Sequence, residues 1–195
     1  MAKIDPNENK WSGSGTGDRI SPCGSGVKDF VAVGFEHFVI NDKPVVEVRS
    51  VCIADNANKG DEGNELRDLF FLHSEGALSR FVKFVKDGCG WTEPFDPADP
   101  SDVRRIIANR PFRAKVKATE DGKYTRHDCG WNYEEPGLEQ DAATGHYMLE
   151  QYQLDFVNNA TKAWEGYERW RRENPRGGYS SGGSNGGNGT ADIPF

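Results

Sequence analysis

The sequence predicts a mainly β fold: an OB-like five-stranded barrel with a helical insert between strands 3 and 4 and a helix near the C-terminus. Two patterns predict it. Several apolar segments alternate with a period of two, as half-buried strands do, whereas residues 74–88 and 147–173 repeat at helical spacing. The chain has 195 residues, and its 23 glycines are concentrated at the ends. We therefore expect one compact domain between glycine-rich termini.

Apolar runs bounded by polar turns mark the strands. The predicted strands are residues 31–40, 44–55, 66–72, 111–119 and 123–135. The first two are expected to form a hairpin around the polar turn 41–43. In the second strand Val46 and Val48 share one face, while Glu47 and Arg49 share the other. This alternation predicts a buried side and a solvent-exposed side.

The fourth strand shows the most regular alternation in the chain. Its apolar face carries Phe112, Ala114, Val116 and Ala118, and its polar face carries Arg113, Lys115, Lys117 and Thr119. Such alternation predicts a half-buried strand. The turn at residues 120–122 then leads into the fifth strand.

Three helices are predicted. Ser74 is a typical N-cap, and the apolar residues after it recur at helical spacing until Gly88. A short helix is predicted at residues 102–110. Aromatic side chains fall on one stripe of the longer segment 147–173, which we expect to pack on the barrel or on another subunit.

Three strands, a helical insert and two further strands are the element order of the OB barrel. This fold offers one strand face and neighbouring loops to oligonucleotides or oligosaccharides. The predicted organisation is a flexible leader (1–26), an OB-like domain (27–136), a helical segment (137–176), a disordered Gly/Ser-rich linker (177–190) and a terminal peptide (191–195).

Composition narrows the functional classes. The chain carries 24 Lys and Arg against 31 Asp and Glu, a net charge of −7, which argues against binding polyanions over its whole surface. It lacks a long apolar run or a signal-peptide pattern at its start, so we expect a cytoplasmic protein without membrane contact. The widely spaced cysteines are expected to be reduced thiols.

The last residues form an apolar tip behind the glycine-rich linker. This tip consists of Asp192, Ile193, Pro194 and Phe195. A basic pocket can bind the terminal carboxylate while the Phe195 ring fills an apolar slot, and Pro194 reduces the entropy lost on docking. The segment is therefore predicted to dock onto partner proteins.

These four residues resemble the C-terminus of bacterial single-stranded DNA-binding proteins, which pair an OB domain and a glycine-rich linker with a tip ending in Asp-Ile-Pro-Phe. The domain itself is similar to divergent OB proteins found beside phage recombination genes. The resemblance implies that the tip recruits replication, recombination and repair enzymes. Where the family tip usually carries several acids, this one has Asp192 and the terminal carboxylate.

A basic stripe in strands 4 and 5 supports nucleic-acid binding independently. It contains Arg110, Arg113, Lys115, Lys117, Lys123 and Arg126, against Glu120 and Asp121. Such a stripe is expected to hold a phosphate backbone. Tyr124 and Trp131 are expected to stack bases. Arg49 in strand 2 and Trp91 after the first helix are expected to extend this surface.

Metal binding and catalysis are the weaker interpretations. Cys89, His127 and Cys129, with His73 or Cys52, contain enough ligands for zinc, but their spacing is not diagnostic. No nucleophile motif accompanies the cysteines and histidines. We therefore expect neither an enzyme nor a cofactor.

The sequence thus predicts a protein that binds single-stranded DNA without sequence preference, protects it and recruits DNA-processing enzymes. Several copies are expected to act together as a homo-oligomer, in a host-cell cytoplasm if the protein is phage-encoded. Two alternatives remain open at this point. One is an adaptor or decoy that uses only the tip, and the other is an RNA-binding OB module.

Overall fold

The structure is a computed structural model that describes residues 20–56, 60–121 and 124–173. Its strands are β1 (Gly26–Ile40), β2 (Lys43–Asp55), β3 (Glu65–Phe71), β4 (Pro111–Asp121), β5 (Tyr124–Asp128) and β6 (Tyr133–Glu134). Its helices are α1 (Glu75–Lys83), which continues into a π-helical segment (Phe84–Gly88), α2 (Pro100–Ile107) and α3 (Gln151–Glu173). The mainly β class, the helical insert after the third strand and the C-terminal helix are confirmed.

The strands form one antiparallel sheet in the order β3-β2-β1-β4-β5, with β6 paired to β4. The predicted fifth strand is divided, because the chain turns between β5 and β6. Gly130 in this turn has φ +53, a conformation that favours glycine. The described strands form an open path, in which no ladder joins β3 to β5.

Local sequence features account for several element ends. Asn41 and Asp42 both have positive φ in the β1–β2 turn, as a two-residue hairpin turn requires. The Ser74 side chain accepts a hydrogen bond from the backbone N–H of Ala77 (3.3 Å), so the predicted N-cap is confirmed. Asp99 caps α2 in the same way, and this helix begins at Pro100, earlier than predicted.

The prediction of a flexible leader is wrong for its last residues. The backbone of Cys23 donates to Glu65 O (2.9 Å), and Glu65 N–H donates to Ser21 O (2.7 Å). Cys23 is buried, and β1 already begins at Gly26. These contacts hold the segment beside β3, so the ordered domain begins before residue 27.

The main core lies between one face of the sheet and the helical insert. Aromatic rings dominate it: Phe84 lies 5.1 Å from Phe70 and 5.0 Å from Phe112, measured between ring centroids. Phe81 and Tyr133 complete the cluster. Buried aromatic pairs at these distances add to the free energy gained by burying their area. They hold α1 against β3, and the π-helical segment against β4 and β6.

A second apolar cluster lies on the opposite face of β1 and β2, where α3 packs. Val51 and Ile53 contact Val157 and Ala160 of the helix. The prediction that the Glu47 and Arg49 side of β2 is exposed to solvent is therefore wrong. Both residues are buried, because α3 covers this face. In the part of the chain that the structure describes, no helix has the length and apolar character needed to span a membrane.

Candidate nucleic-acid interface

The outward side of β4 and β5 carries a row of cations, which we call the strand face. Lys115 and Lys117 are exposed, whereas the alternating residues of β4 are buried in the core. Arg126 is exposed on β5 and pairs with Thr119 of β4. Cross-strand partners project to the same side of a sheet. The strand face therefore consists of Lys115, Lys117, Thr119 and Arg126.

Acidic groups border the strand face. Asp128 is the cross-strand partner of Lys117, and Glu134 on β6 is the partner of Arg113. Both acids are exposed. The cations of the strand face are consequently interspersed with acidic side chains.

Arg113 differs from the other cations of the predicted stripe. Its Nε and Nη2 donate to the two carboxylate oxygens of Asp29 at 2.8 and 3.0 Å. These hydrogen bonds raise the pKa of the guanidinium above its usual range. Asp29 is 2% exposed, so its carboxylate is removed from water, whereas Arg113 is partly exposed. Arg113 therefore connects β4 to β1, and its charge is balanced within the fold.

Trp131 projects from the turn between β5 and β6 and is 50% exposed. Several hydrogen bonds fix this turn. Gly130 N–H donates to the Asp128 carboxylate (2.7 Å), and Arg80 Nε donates to Gly130 O (2.6 Å). Asn132 N–H donates to Cys129 O (3.0 Å). The backbone that carries the indole is thus ordered by hydrogen bonds, while much of the indole surface meets solvent.

The indole lines an open groove of about 690 Å³, which we call the tryptophan groove. The groove is lined by Lys83, Lys86, Asp87, Gly90, Thr92, Trp131, Asn132, Tyr133, Glu134 and Glu135. It adjoins the strand face, because Lys115 N–H donates to Asn132 O (3.2 Å). Its volume lies within the range of about 300–1,000 Å³ that is typical of small-molecule sites.

Trp91 lies at the side of the groove, between the lining residues Gly90 and Thr92. Its ring is contacted by two guanidinium groups, with Arg105 at 4.8 Å and Arg110 at 5.3 Å from the ring centroid. Arg110 also donates to Cys89 O (3.3 Å). These arginines cover part of the Trp91 ring. Of the two tryptophans predicted to extend or form the binding surface, Trp131 is therefore the better exposed.

The structure separates Arg49 from the other predicted residues. Arg49 is 3% exposed and pairs with Glu47 and Glu65. Its guanidinium lies over the rings of Trp164 and Tyr167 on α3. Arg49 is therefore buried beneath a helix, and its assignment to the DNA-binding surface is corrected on this ground.

Some predicted residues lie outside the described part of the chain. Lys123 is one of them, and the tip residues Asp192, Ile193, Pro194 and Phe195 are the others. For Tyr124 the structure gives the backbone position, at the start of β5 opposite Asp121.

The four cysteines are buried in the domain, and His127 makes hydrogen-bond contacts with its backbone. Burial raises the pKa of the Cys89 thiol to about 12, and Cys23, Cys52 and Cys129 are also buried thiols. His127 Nδ1 accepts from Arg67 N–H (3.3 Å), and its Nε2 lies 3.0 Å from Cys23 O. Among the described residues no group of three or more potential ligands is arranged to hold a metal ion.

Sequence reasoning missed Lys86 and Arg105. Lys86 is exposed in the π-helical segment and reaches the groove, whereas Arg105 on α2 contacts Trp91. Fourteen positions separate Arg105 from Trp91, so no local pattern relates them. The only hint in the sequence was that Arg105 is a cation near the end of the predicted short helix, in the segment that leads into the basic stripe.

Comparison of the chain with protein-family models and with curated proteins gives no significant match. Function is therefore inferred from the residues and their arrangement.

Proposed function

We propose that this protein binds single-stranded DNA without sequence preference along most of the strand, and that its tip recruits DNA-processing enzymes. One observation carries the first part. The exposed cations of the strand face lie beside an exposed tryptophan that a rigid turn presents to solvent. Phosphate-binding cations next to a stacking ring are the combination that single-strand binding uses.

Each chemical group has a distinct role in this proposal. Lys115 and Lys117 are two residues apart, about 6.8 Å along an extended strand, and with Arg126 they bind successive phosphates. Trp131 stacks a base through its exposed ring face. The contacts to phosphate carry no sequence information, so they position the strand without selecting it.

We further propose that the sheet closes as an OB barrel. The strand order and the helix between β3 and β4 support this. A second support is His127 on β5, which accepts a hydrogen bond from the backbone of Arg67 on β3 (3.3 Å). The two sheet edges thus approach each other through a side chain. Because α3 covers the outer face of β1 and β2, the proposed DNA path uses β4, β5 and the adjoining loop instead.

The proposed DNA contact is testable by charge reversal. Lys115→Glu with Lys117→Glu is expected to weaken binding of a labelled thymidine oligonucleotide and to reduce the slope of log K against log salt by about 1.4, or 0.7 per lost contact. Lys162→Glu with Arg169→Glu on α3 is the control, because both residues are exposed and lie on another element. Equal losses in the two variants would exclude the strand face.

The second part of the proposal concerns Asp192–Phe195, whose sequence resembles the tip of bacterial single-stranded DNA-binding proteins. Deletion of Phe195 is expected to abolish capture of a partner enzyme and to leave oligonucleotide affinity unchanged. The reason is that the ring and the terminal carboxylate form one recognition unit. Undiminished capture by the shortened chain would refute this role of the tip.

Assembly of several copies belongs to the same proposal. Tyr152 and Trp170 of α3 are 53% and 45% exposed, which leaves aromatic surface for a second copy. Sedimentation of the full chain, with and without Tyr152→Ser, tests this. A monomer at all concentrations would contradict it.

A further inference from the structure

The tryptophan groove differs in charge from the strand face. Lys83 is paired with Asp87, four residues further along the helical segment, which leaves Lys86 as the other cation of the lining. Glu134 and Glu135 line the same groove, and both are exposed. The groove is therefore weakly acidic, and it does not suit a phosphate.

The groove does suit a flat ring with hydrogen-bond donors. Trp131 supplies an aromatic surface held by a turn with four hydrogen bonds, two to Gly130 and two that fix Asn132. Because the backbone of this turn is already ordered, less conformational entropy is lost there when a ligand stacks on the ring. Glu134 and Glu135 supply carboxylate oxygens, which accept hydrogen bonds.

Glu134 is also positioned by the fold. It lies opposite Arg113 in the β4–β6 ladder. The Arg113 guanidinium forms its two-point contact with Asp29, and the charge of Glu134 adds to the effect of Asp29 in raising the pKa of that guanidinium. Tyr133 next to it points into the core, where its hydroxyl donates to Asp68. Alternation in the strand therefore places Glu134 on the outward face that it shares with Arg113, at the edge where the groove adjoins the strand face.

We propose that the tryptophan groove is a nucleobase subsite that favours bases carrying an exocyclic amino group. The base stacks on Trp131, and its amino group donates to Glu134 or Glu135. Cytosine, adenine and guanine carry such a donor. Thymine lacks an exocyclic amino group and has a carbonyl oxygen at the position of the cytosine amino group, which leaves only its ring N–H as a donor. This inference rests on the proposed function and adds a base preference at one position of the bound strand.

The test compares labelled dC15 and dT15 oligonucleotides by fluorescence anisotropy with the full chain. The measured quantity is the ratio of the dT15 to the dC15 dissociation constant. The ratio for the wild-type chain is expected to exceed that of the Glu134→Ala, Glu135→Ala variant about tenfold, the effect of one hydrogen bond to a charged acceptor. Comparing the ratio between variants cancels the different stacking of the two oligonucleotides themselves.

The matched control is Glu139→Ala with Glu165→Ala, which removes two exposed acids that do not line the groove. It is expected to raise affinity for both oligonucleotides and to keep the wild-type ratio. Trp131→Ala is expected to weaken binding of both about tenfold, which is the loss of one stacking contact.

The outcomes separate this inference from the proposed function. A wild-type ratio in the Glu134→Ala, Glu135→Ala variant, with both oligonucleotides still bound, would overturn the base preference and leave DNA binding intact. Binding of neither oligonucleotide by the wild-type chain would overturn both. If the ratio of the dT15 to the dC15 dissociation constant fell in the control variant as much as in the Glu134→Ala, Glu135→Ala variant, the inference would also be overturned. Overall charge would then explain the preference.

Discussion

Arg113 and Asp29 form a two-point ion pair between β4 and β1, in which Nε and Nη2 of the guanidinium bind the two oxygens of one carboxylate. The residues are 84 positions apart in the chain. Asp29 is buried, whereas Arg113 is partly exposed at the border of the strand face. Alternation in β4 places Arg113 among the cations of the predicted stripe, but its ion pair connects β4 to β1 within the sheet.

Replacing Arg113 with alanine is expected to lower the free energy of unfolding by about 2–3 kcal/mol, because the Asp29 carboxylate then stays buried without its ion-pair partner. Urea denaturation followed by circular dichroism measures the change. Lys115→Ala, on the next outward position of β4, is the control and is expected to change stability by less than about 0.5 kcal/mol. Equal stability of the two variants would contradict a structural role for Arg113.

Gly34 provides a test of how α3 is seated on the sheet. A Cβ atom at this position would lie 2.3 Å from the indole of Trp164, so Gly34→Ala must displace the ring that also covers Arg49. The free energy of unfolding of Gly34→Ala is expected to be lower than that of the wild type by about 1–3 kcal/mol. Gly76→Ala in α1 is the control: a Cβ there meets nothing within 4 Å, and alanine favours a helix. Thermal unfolding of both variants measures the difference. Equal stability of Gly34→Ala and the control would contradict the packing of Trp164 on Gly34.

His127 makes stability depend on pH. Burial lowers the pKa of its imidazole below 6.5, and this outweighs the opposing effects of the Cys23 carbonyl and of Asp68 and Glu65. The unfolded chain therefore binds a proton more readily than the folded one. The contribution of neutral His127 to the free energy of unfolding is fully present above the unfolded pKa of about 6.5. This contribution is lost as the pH falls from there toward the lower pKa of the folded state.

The measurement is the free energy of unfolding at several pH values for the wild type and for His127→Gln. The wild type is expected to lose more stability than the variant as the pH is lowered through 6.5. The variant has no titrating group at this position. It therefore gives the baseline for the wild type, because the loss of stability from carboxylates that protonate at lower pH occurs in both chains. Parallel curves would show that His127 does not titrate in this range.

Patterns that involve neighbouring residues predicted the mainly β class, most of the strands and helices, and several of their ends. The hairpin turn at Asn41 and Asp42 and the cap at Ser74 follow from local chemistry, and the alternation of β4 identified its exposed cations. Contacts between distant residues were not predictable in this way. Alternation shows which residues of β2 share a face, but it does not show that α3 covers Arg49.

The same distinction applies to the candidate interface. Lys115, Lys117 and Trp131 were identified because charge and aromatic character are properties of single residues. Whether such a residue is available to a ligand depends on its partners in the fold. The ion pair of Arg113 and the arginine contacts of Trp91 become visible only in three dimensions.

The most direct test of the central claim is a tryptophan-fluorescence titration of the full chain with a thymidine oligonucleotide at about 50 mM and about 200 mM salt. Stacking on Trp131 is expected to quench the emission. Contacts of Lys115, Lys117 and Arg126 with three phosphates give a slope of about −2, so affinity is expected to fall roughly 16-fold over this fourfold change in salt. Absence of quenching at the lower salt concentration, or an affinity that does not change with salt, would contradict the account.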